Sequence, residues 1–312
     1  AFMALDPAHA DALRALHRRG NALLLKGRPL SPLPRELLPC FAYSIIDVAD
    51  ERRDGLPVPG GVSRQIPHVQ AGISTLSEMT EAFGRGAIAI LGWPIADIPV
   101  PQVALARPVK ATTTTVMELI NRVERQESID RLEAVVKNDP TLAYKLLKYI
   151  NSPAFGLRVE ITTFGHAIMM LGYHRLKRWL ALLLVSGSSD PSQRPLVFAA
   201  VRRGLLMEEL GRDSGCDDER RGELFICGVF SLLDRMFQQP FSDLFASIPV
   251  PERVVQALTK ESGPFQPYVN MVHAIENESL FDFREAADAL MLGVSEVNRA
   301  QLRALMAASQ LE

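Results

Sequence analysis

The sequence predicts two domains of different class: a small α/β unit over residues 1–98 and an all-α unit over residues 111–312, joined by a proline-containing linker at 99–110. Three observations carry this. Before residue 98, helix-type and strand-type apolar segments alternate, the pattern of parallel βα units. Pro99, Pro101 and Pro108 then disfavour regular structure. Beyond residue 110 the apolar periodicity is helical, with no strand signal of any length and no fixed internal repeat. A length of 312 residues agrees with roughly two domains.

In the first unit, Asp6 is placed to cap a helix that starts at Pro7 and runs to Arg19, ended by Gly20. Asn21 to Leu25 follows as a short apolar strand. Phe41 to Val48 is a second strand, rich in β-branched residues. His68 to Ile73 is a third, Thr75 to Gly84 a helix, and Ala87 to Leu91 a fourth strand closed by Gly92-Trp93-Pro94. Residues 50–65, with several Gly, Pro and charged residues, are expected to form an exposed loop.

The second unit is organised around the stretch from Asn138 to Pro153. Asp139 is a good N-cap and Pro140 fits the first helical position, where its missing N–H is no loss. Leu142, Leu146, Tyr149 and Ile150 then form one apolar face. Asn151-Ser152-Pro153 stops the helix, because a residue before proline is pushed out of the helical region. Before it come helices over Thr112–Gln126 and from Ser128 onward. After it come Phe164–Leu171, capped by Thr163 and ended by Gly172, then Arg175–Ser186. Long helical patterns run from about Arg194 to Arg212 and from Asp218 to Gln238. Pro240 and Pro249-Val250-Pro251 punctuate shorter helices, and amphipathic segments near 265–278, 282–292 and 295–309 complete the chain.

Composition excludes several functions. With 34 basic and 36 acidic residues the formal net charge is −2, so the chain has no general electrostatic footprint for nucleic acid. Cys40, Cys216 and Cys227 are widely spaced and form no CxxC pair; they read as reduced cytosolic thiols. The run Trp179 to Val185 is far short of the ~20 apolar residues of a membrane span. Ala1-Phe2-Met3 lacks the basic and apolar regions of a signal peptide, and position 1 is not methionine, as in a processed or shortened chain.

The residues that carry chemistry are sparse. His9, His17, His68, His166, His174 and His273 form no HExxH or HxxxH pair, and no His-Asp dipeptide occurs. No GxSxG elbow is present, and Cys227 lies inside an apolar run where a thiol is inert. Gly60-Gly61 and Gly84-Arg85-Gly86 are too short for a phosphate loop. Arg175, Lys177 and Arg178 are either a solvated helix face or a patch for an acidic partner. Met169, Met170, Met207 and Met236 are expected to fill core gaps, although methionine also suits adaptable binding surfaces.

Two family resemblances follow. The run from Gln126 to about Gly187 resembles an HDOD domain. It carries Lys137-Asn138-Asp139-Pro140-Thr141-Leu142, then Lys145-Leu146-Leu147, then Ile150-Asn151-Ser152-Pro153-Ala154-Phe155-Gly156, with Ile161-Thr162-Thr163, Ala167-Ile168 and Leu171-Gly172 beyond. That resemblance implies an HD-phosphohydrolase-like helical fold without the metal-binding dyad. Ser231 and Leu232 stand where an HD enzyme carries its His and Asp.

Residues 1–110 are similar, more weakly, to the C-terminal half of an EAL domain, a cyclic di-GMP phosphodiesterase barrel. Lys26 and Gly27 replace a metal-binding Asp pair; Asp47 is kept while Ile45 replaces a lysine; Ala71, Gly72 and Ser74 remove a Glu, a Lys and a Glu. Leu91-Gly92-Trp93 echoes the closing Gln-Gly-aromatic. A complete (β/α)₈ barrel takes about 250 residues, so the resemblance implies an incomplete barrel remnant. Two-metal phosphodiester hydrolysis needs several carboxylates.

The resemblances together imply a non-enzymatic bacterial signalling scaffold that acts through protein partners or a second copy of itself. No catalytic, cofactor-binding or metal-binding residue is assigned, and no cofactor, membrane or nucleic-acid partner is expected. The alternative is a protein that binds, or less readily hydrolyses, a cyclic dinucleotide through the EAL-like unit. An incomplete barrel leaves sheet edges and apolar faces to be covered. A fragment of residues 1–110 expressed alone is therefore expected to be insoluble, as checked by fractionation and gel filtration beside the full chain.

Overall fold

The computed structural model describes residues 7–27, 33–50, 66–100, 111–137, 139–151, 161–186, 193–248 and 250–309. The chain divides into two compact units, Ala1–Pro99 and Val100–Glu312. All of the expected loop over 50–65 except Asp50, most of the expected linker and the capping Asp6 lie outside the described residues.

The first unit begins with α1 (Pro7–Arg18), followed by the strands β1 (Leu23–Lys26), β2 (Phe41–Asp47) and β3 (His68–Ile73), helix α2 (Leu76–Gly84) and strand β4 (Ala89–Gly92). The four strands form one sheet in sequence order, every neighbouring pair parallel. β1 starts at Leu23, later than the apolar run, because Asn21 turns back onto α1: its backbone and side-chain N–H groups both donate to the Leu16 carbonyl. β4 likewise starts after Ala87, whose N–H donates to the Ala82 carbonyl and closes α2.

Leu25, Leu37, Phe41 and Ile66 form one buried cluster of this unit, and Ile73, Ala82 and Ala87 another. An all-parallel sheet is normally covered on both faces. Here the register partners Leu24 and Tyr43 remain 54% and 43% exposed, so part of one face is bare. Gly92 has φ +142°, and a Cβ there would fall inside the Ile73 carbonyl. The closing Leu91-Gly92-Trp93 thus contains a glycine that strand packing itself requires.

The second unit is helical throughout its described residues. It comprises α3 (Ala111–Glu124), α4 (Ile129–Lys137), α5 (Pro140–Ile150), α6 (Phe164–Ser186), α7 (Arg194–Asp213), α8 (Asp218–Phe230), α9 (Leu233–Phe237), α10 (Phe241–Ser247), α11 (Glu252–Lys260), α12 (Gln266–Glu276), α13 (Leu280–Leu290) and α14 (Val294–Ser309). None of the described helices is long and apolar enough to cross a membrane.

α5 has the caps its sequence predicts. The Leu142 N–H donates to the Asp139 carboxylate at 3.1 Å, and Leu142, Leu146 and Ile150 are fully buried. Tyr149 stacks on Trp179 of α6, ring centroids 6.1 Å apart. Asn151 does more than stop the helix. Its side-chain amide donates to the Ile161 carbonyl and its side-chain oxygen accepts from the Ile161 N–H, both at 2.8 Å. The asparagine imitates a strand partner and fastens the end of α5 to the approach of α6. Thr163 accepts from the His166 N–H as N-cap, and Gly172, at φ +69°, breaks α6 where the sequence places a helix end.

Two expectations are corrected. The pattern from Asp218 to Gln238 is not one helix. It breaks at Ser231 and Leu232, where the Ser231 hydroxyl donates to the Gly228 carbonyl at 2.7 Å, and resumes as α9. Met207 and Met236 are buried, whereas Met169 and Met170 are 64% and 49% exposed. Ala167 and Ile168 take the buried side of that helix, so the two methionines point outward.

α7 and α8 are the most intimate pair of the helical unit. A Cβ on Gly204 would lie 2.8 Å from the Phe225 carbonyl oxygen, and one on Gly228 would lie 2.5 Å from the Gly204 nitrogen. Backbone meets backbone, and neither side can yield by rotating a side chain. Gly228→Ala is therefore expected to cost about 1–3 kcal/mol as an overpacking change, seen as a lowered urea midpoint at unchanged slope.

Candidate functional site

Ligand sites on parallel sheets lie beyond the C-terminal ends of the strands. In the first unit those ends carry Lys26, Asp47, Ser74 and Gly92. Asp47 is exposed, and its carboxylate accepts from the Ala49 N–H at 2.9 Å, shaping the turn that follows β2. Gly72, at φ +76°, lies beneath it, and a Cβ there would come 2.8 Å from Asp47 Oδ2.

The first carboxylate beyond the end of β3 is Glu78. It accepts from the Ser74 N–H at 2.8 Å, the Ser74 hydroxyl and the Thr75 N–H, while Thr75 Oγ1 accepts from the Glu78 N–H. This is a capping box on α2. The backbone N–H of Ser74 leads the influences that hold the Glu78 carboxyl below its ordinary pKa. Glu78 is thus committed to the helix start. Among the described residues, no three His, Cys, Asp or Glu side chains gather in a way that would hold a metal ion.

The second candidate centre surrounds Ser231, at the C-terminal end of α8. Ser231 Oγ accepts from Arg203 Nη1 of α7 at 3.0 Å. The same guanidinium grips Glu276, the last residue of α12, from Nε at 3.0 Å and Nη2 at 2.6 Å. Arg202 Nη1 donates to Glu276 Oε1 at 3.0 Å, and the Arg202 side chain is completely buried. Burial depresses the Arg202 pKa to about 10, against the pull of Glu276. Asp234 and Leu232 are buried beside this network, and Asp234 accepts from the Arg235 N–H at 2.7 Å.

This is an arginine-rich core, and it does not fit the metal that an HD-like fold implies. Position 231 presents a hydroxyl already bonded to a cation, and position 232 presents an isobutyl group. A divalent ion held about 5 Å from one guanidinium would be repelled by roughly 7 kcal/mol at an effective dielectric constant of about 20.

The remaining sequence candidates are structural in their surroundings. His68 is buried, and its Nε2 pairs with Gln70 Oε1 at 3.0 Å while Gln70 Nε2 donates to the Ile46 carbonyl. His17, His166, His174 and His273 are exposed. Cys227 is wholly buried, which pushes its thiol pKa far above the ordinary range. The basic cluster is largely neutralised from within: Lys177 pairs with Glu124, and Arg178 pairs with Glu208 and stacks over Phe225 at 4.1 Å. Of the three, Arg175 stays exposed. An open groove of about 940 Å³ runs between α3 and α4, lined in part by Arg122, Arg125 and Arg131. Arg122 is held by Glu118 and Glu127, and Arg131 lies 3.9 Å from Glu127.

The sequence does not reveal the Arg202–Arg203–Glu276 network, because Glu276 lies more than 70 positions from the two arginines. The only local signal was a pair of arginines inside the otherwise apolar stretch of α7. Asp234 supplies a test of the network's electrostatics. Burial raises its pKa, so the folded state favours the protonated form, and Asp234 costs stability once pH rises through its raised value. Asp234→Asn is expected to be more stable than the native chain near neutral pH. The gain should shrink as pH falls to about 4, the ordinary carboxylate range. Thermal melts across pH measure both.

Two known proteins resemble this chain over part of its length. It is 24% identical over 275 residues to the cyclic di-GMP phosphodiesterase CdgJ of Vibrio cholerae, covering 85% of this chain and 62% of that protein. It is 26% identical over 166 residues to the uncharacterized protein YuxH of Bacillus subtilis, covering 52% of this chain and 40% of that protein. The chain thus spans less than two thirds of the length of either relative. No solved structure matches it. The HDOD family matches residues 109–238, the span that contains α3 to α9, Arg203 and Ser231. Residues 109–238 are an HDOD domain.

Proposed function

We propose that this chain is a non-enzymatic signalling scaffold in a cyclic di-GMP pathway, working by holding protein partners. The observation that carries the reading is the bond from Arg203 to Ser231: the position that the resemblance to HD enzymes equates with a metal ligand holds a hydroxyl bonded to a guanidinium. The parallel four-stranded sheet is read as a shortened EAL-like remnant. Its strand ends support the same view, since Asp47 shapes a turn and Glu78 caps a helix. The pathway is inferred from the HDOD domain and from the relative titled a cyclic di-GMP phosphodiesterase. Bare apolar residues of the sheet, Leu24 and Tyr43, supply surface for a partner or a second copy.

The α3–α4 groove favours a second reading, in which a cyclic dinucleotide is bound but not cleaved, because three arginines line it. Incubation of the full chain with cyclic di-GMP and Mg²⁺ or Mn²⁺ decides between scaffold and enzyme. The expected result is no turnover above a blank and no effect of Asp47→Ala; turnover abolished by that substitution would sink the scaffold. Calorimetry with the same nucleotide tests binding, and saturable heat without turnover would establish the second reading.

A further inference from the structure

Glu276 closes α12, an end of a helix where the backbone dipole disfavours a carboxylate. It is nevertheless almost completely buried, and two adjacent arginines of α7 converge on it. Arg203 approaches as a fork, with Nε and Nη2 on the two carboxylate oxygens, and spends its remaining terminal nitrogen on Ser231, which caps the end of α8. One guanidinium therefore ties three helices at a single point. That is the work of a structural metal ion: a compact positive charge that satisfies an acid and fixes the elements around it. A guanidinium does it with directional donors and no exchangeable ligand.

We propose that Arg203 is a built-in cation that replaces the metal ion, so that this site excludes divalent ions even if His and Asp are restored at positions 231 and 232. The inference rests on the non-enzymatic reading of those two positions and extends it: the missing ligands are only half of the change. Serine suits the arrangement because its hydroxyl accepts from Arg203 while donating to the Gly228 carbonyl at 2.7 Å. An imidazole at 231 would have to take the space of the guanidinium. Arg203 has little freedom to leave, since it is 6% exposed and its neighbour Gly204 abuts the backbone of α8.

The test uses the full chain and Mn²⁺ as the probe, with calorimetry for binding and thermal melts for stability. Native protein is expected to melt identically in EDTA and in Mn²⁺. Ser231→His with Leu232→Asp is expected to bind Mn²⁺ no better than the native chain. Adding Arg203→Met to that pair is expected to tighten binding by roughly tenfold or more. Equal binding with and without Arg203 overturns the proposal alone. A native melt that shifts with EDTA or Mn²⁺ overturns the non-enzymatic reading of the site as well. Should the multiple variants not fold, two single substitutions test the same cation. Glu276→Gln strands two buried guanidiniums, whereas Arg203→Met leaves Arg202 on Glu276. The first is expected to melt lower than the second, and the reverse order or an unchanged melt overturns the proposal.

Discussion

The close approach of α7 and α8 underlies everything around position 231. Gly204 and Gly228 let the two backbones touch, and that contact brings Arg203 within 3.0 Å of Ser231. With larger residues the helices would stand farther apart and leave a gap between them. Water in such a gap would screen the ion pairs that now operate in a largely dry setting. A buried ion pair recovers its desolvation cost only when its geometry is good and its remaining hydrogen-bonding groups are satisfied. The forked bond of Arg203 to Glu276, with its third nitrogen on Ser231, meets that demand for this pair, and two glycines make the geometry reachable.

The two units use their polar side chains alike. Asp47, Glu78, Asp139 and Asn151 all sit where a sequence reader would look for function, at strand ends and within a recognisable motif. Each is engaged with backbone N–H or C=O groups: a turn after β2, the starts of α2 and α5, and the junction between α5 and α6. Short acidic and amide side chains suit this role because chain ends expose donors that helix and sheet ladders leave over. The groups around Ser231 differ in kind, being side chains bonded to side chains in the interior.

Local physics was well expressed in the sequence. The caps of α5, the span of β3, the break at Gly172 and the parallel alternation all follow from neighbours a few residues apart. What the sequence concealed depended on distant partners. Lys177 and Arg178 read as a solvated face or a basic patch because Glu124 and Glu208 lie on other helices. Met169 and Met170 read as core because periodicity gives a face but not what covers it. Ser231 looked like a plain loss of a ligand. Its bond to an arginine 28 positions away could not be inferred from spacing. The interruption at 231–232 was hidden by an apolar run that suited a helix on either side of it.

Gly92 has a consequence for how this sheet can evolve. Its side chain is a single hydrogen because the Ile73 carbonyl occupies the volume where any larger group would begin, and its φ lies where L-residues are strained. No stepwise route leads away from glycine there, since every one-residue change meets the same obstruction. Only a concerted displacement of β4 against β3 would open the position. The motif around Gly92 is thus a lock on the sheet's geometry, one that persists through drift elsewhere in the unit whether or not the strand ends above it retain any chemistry.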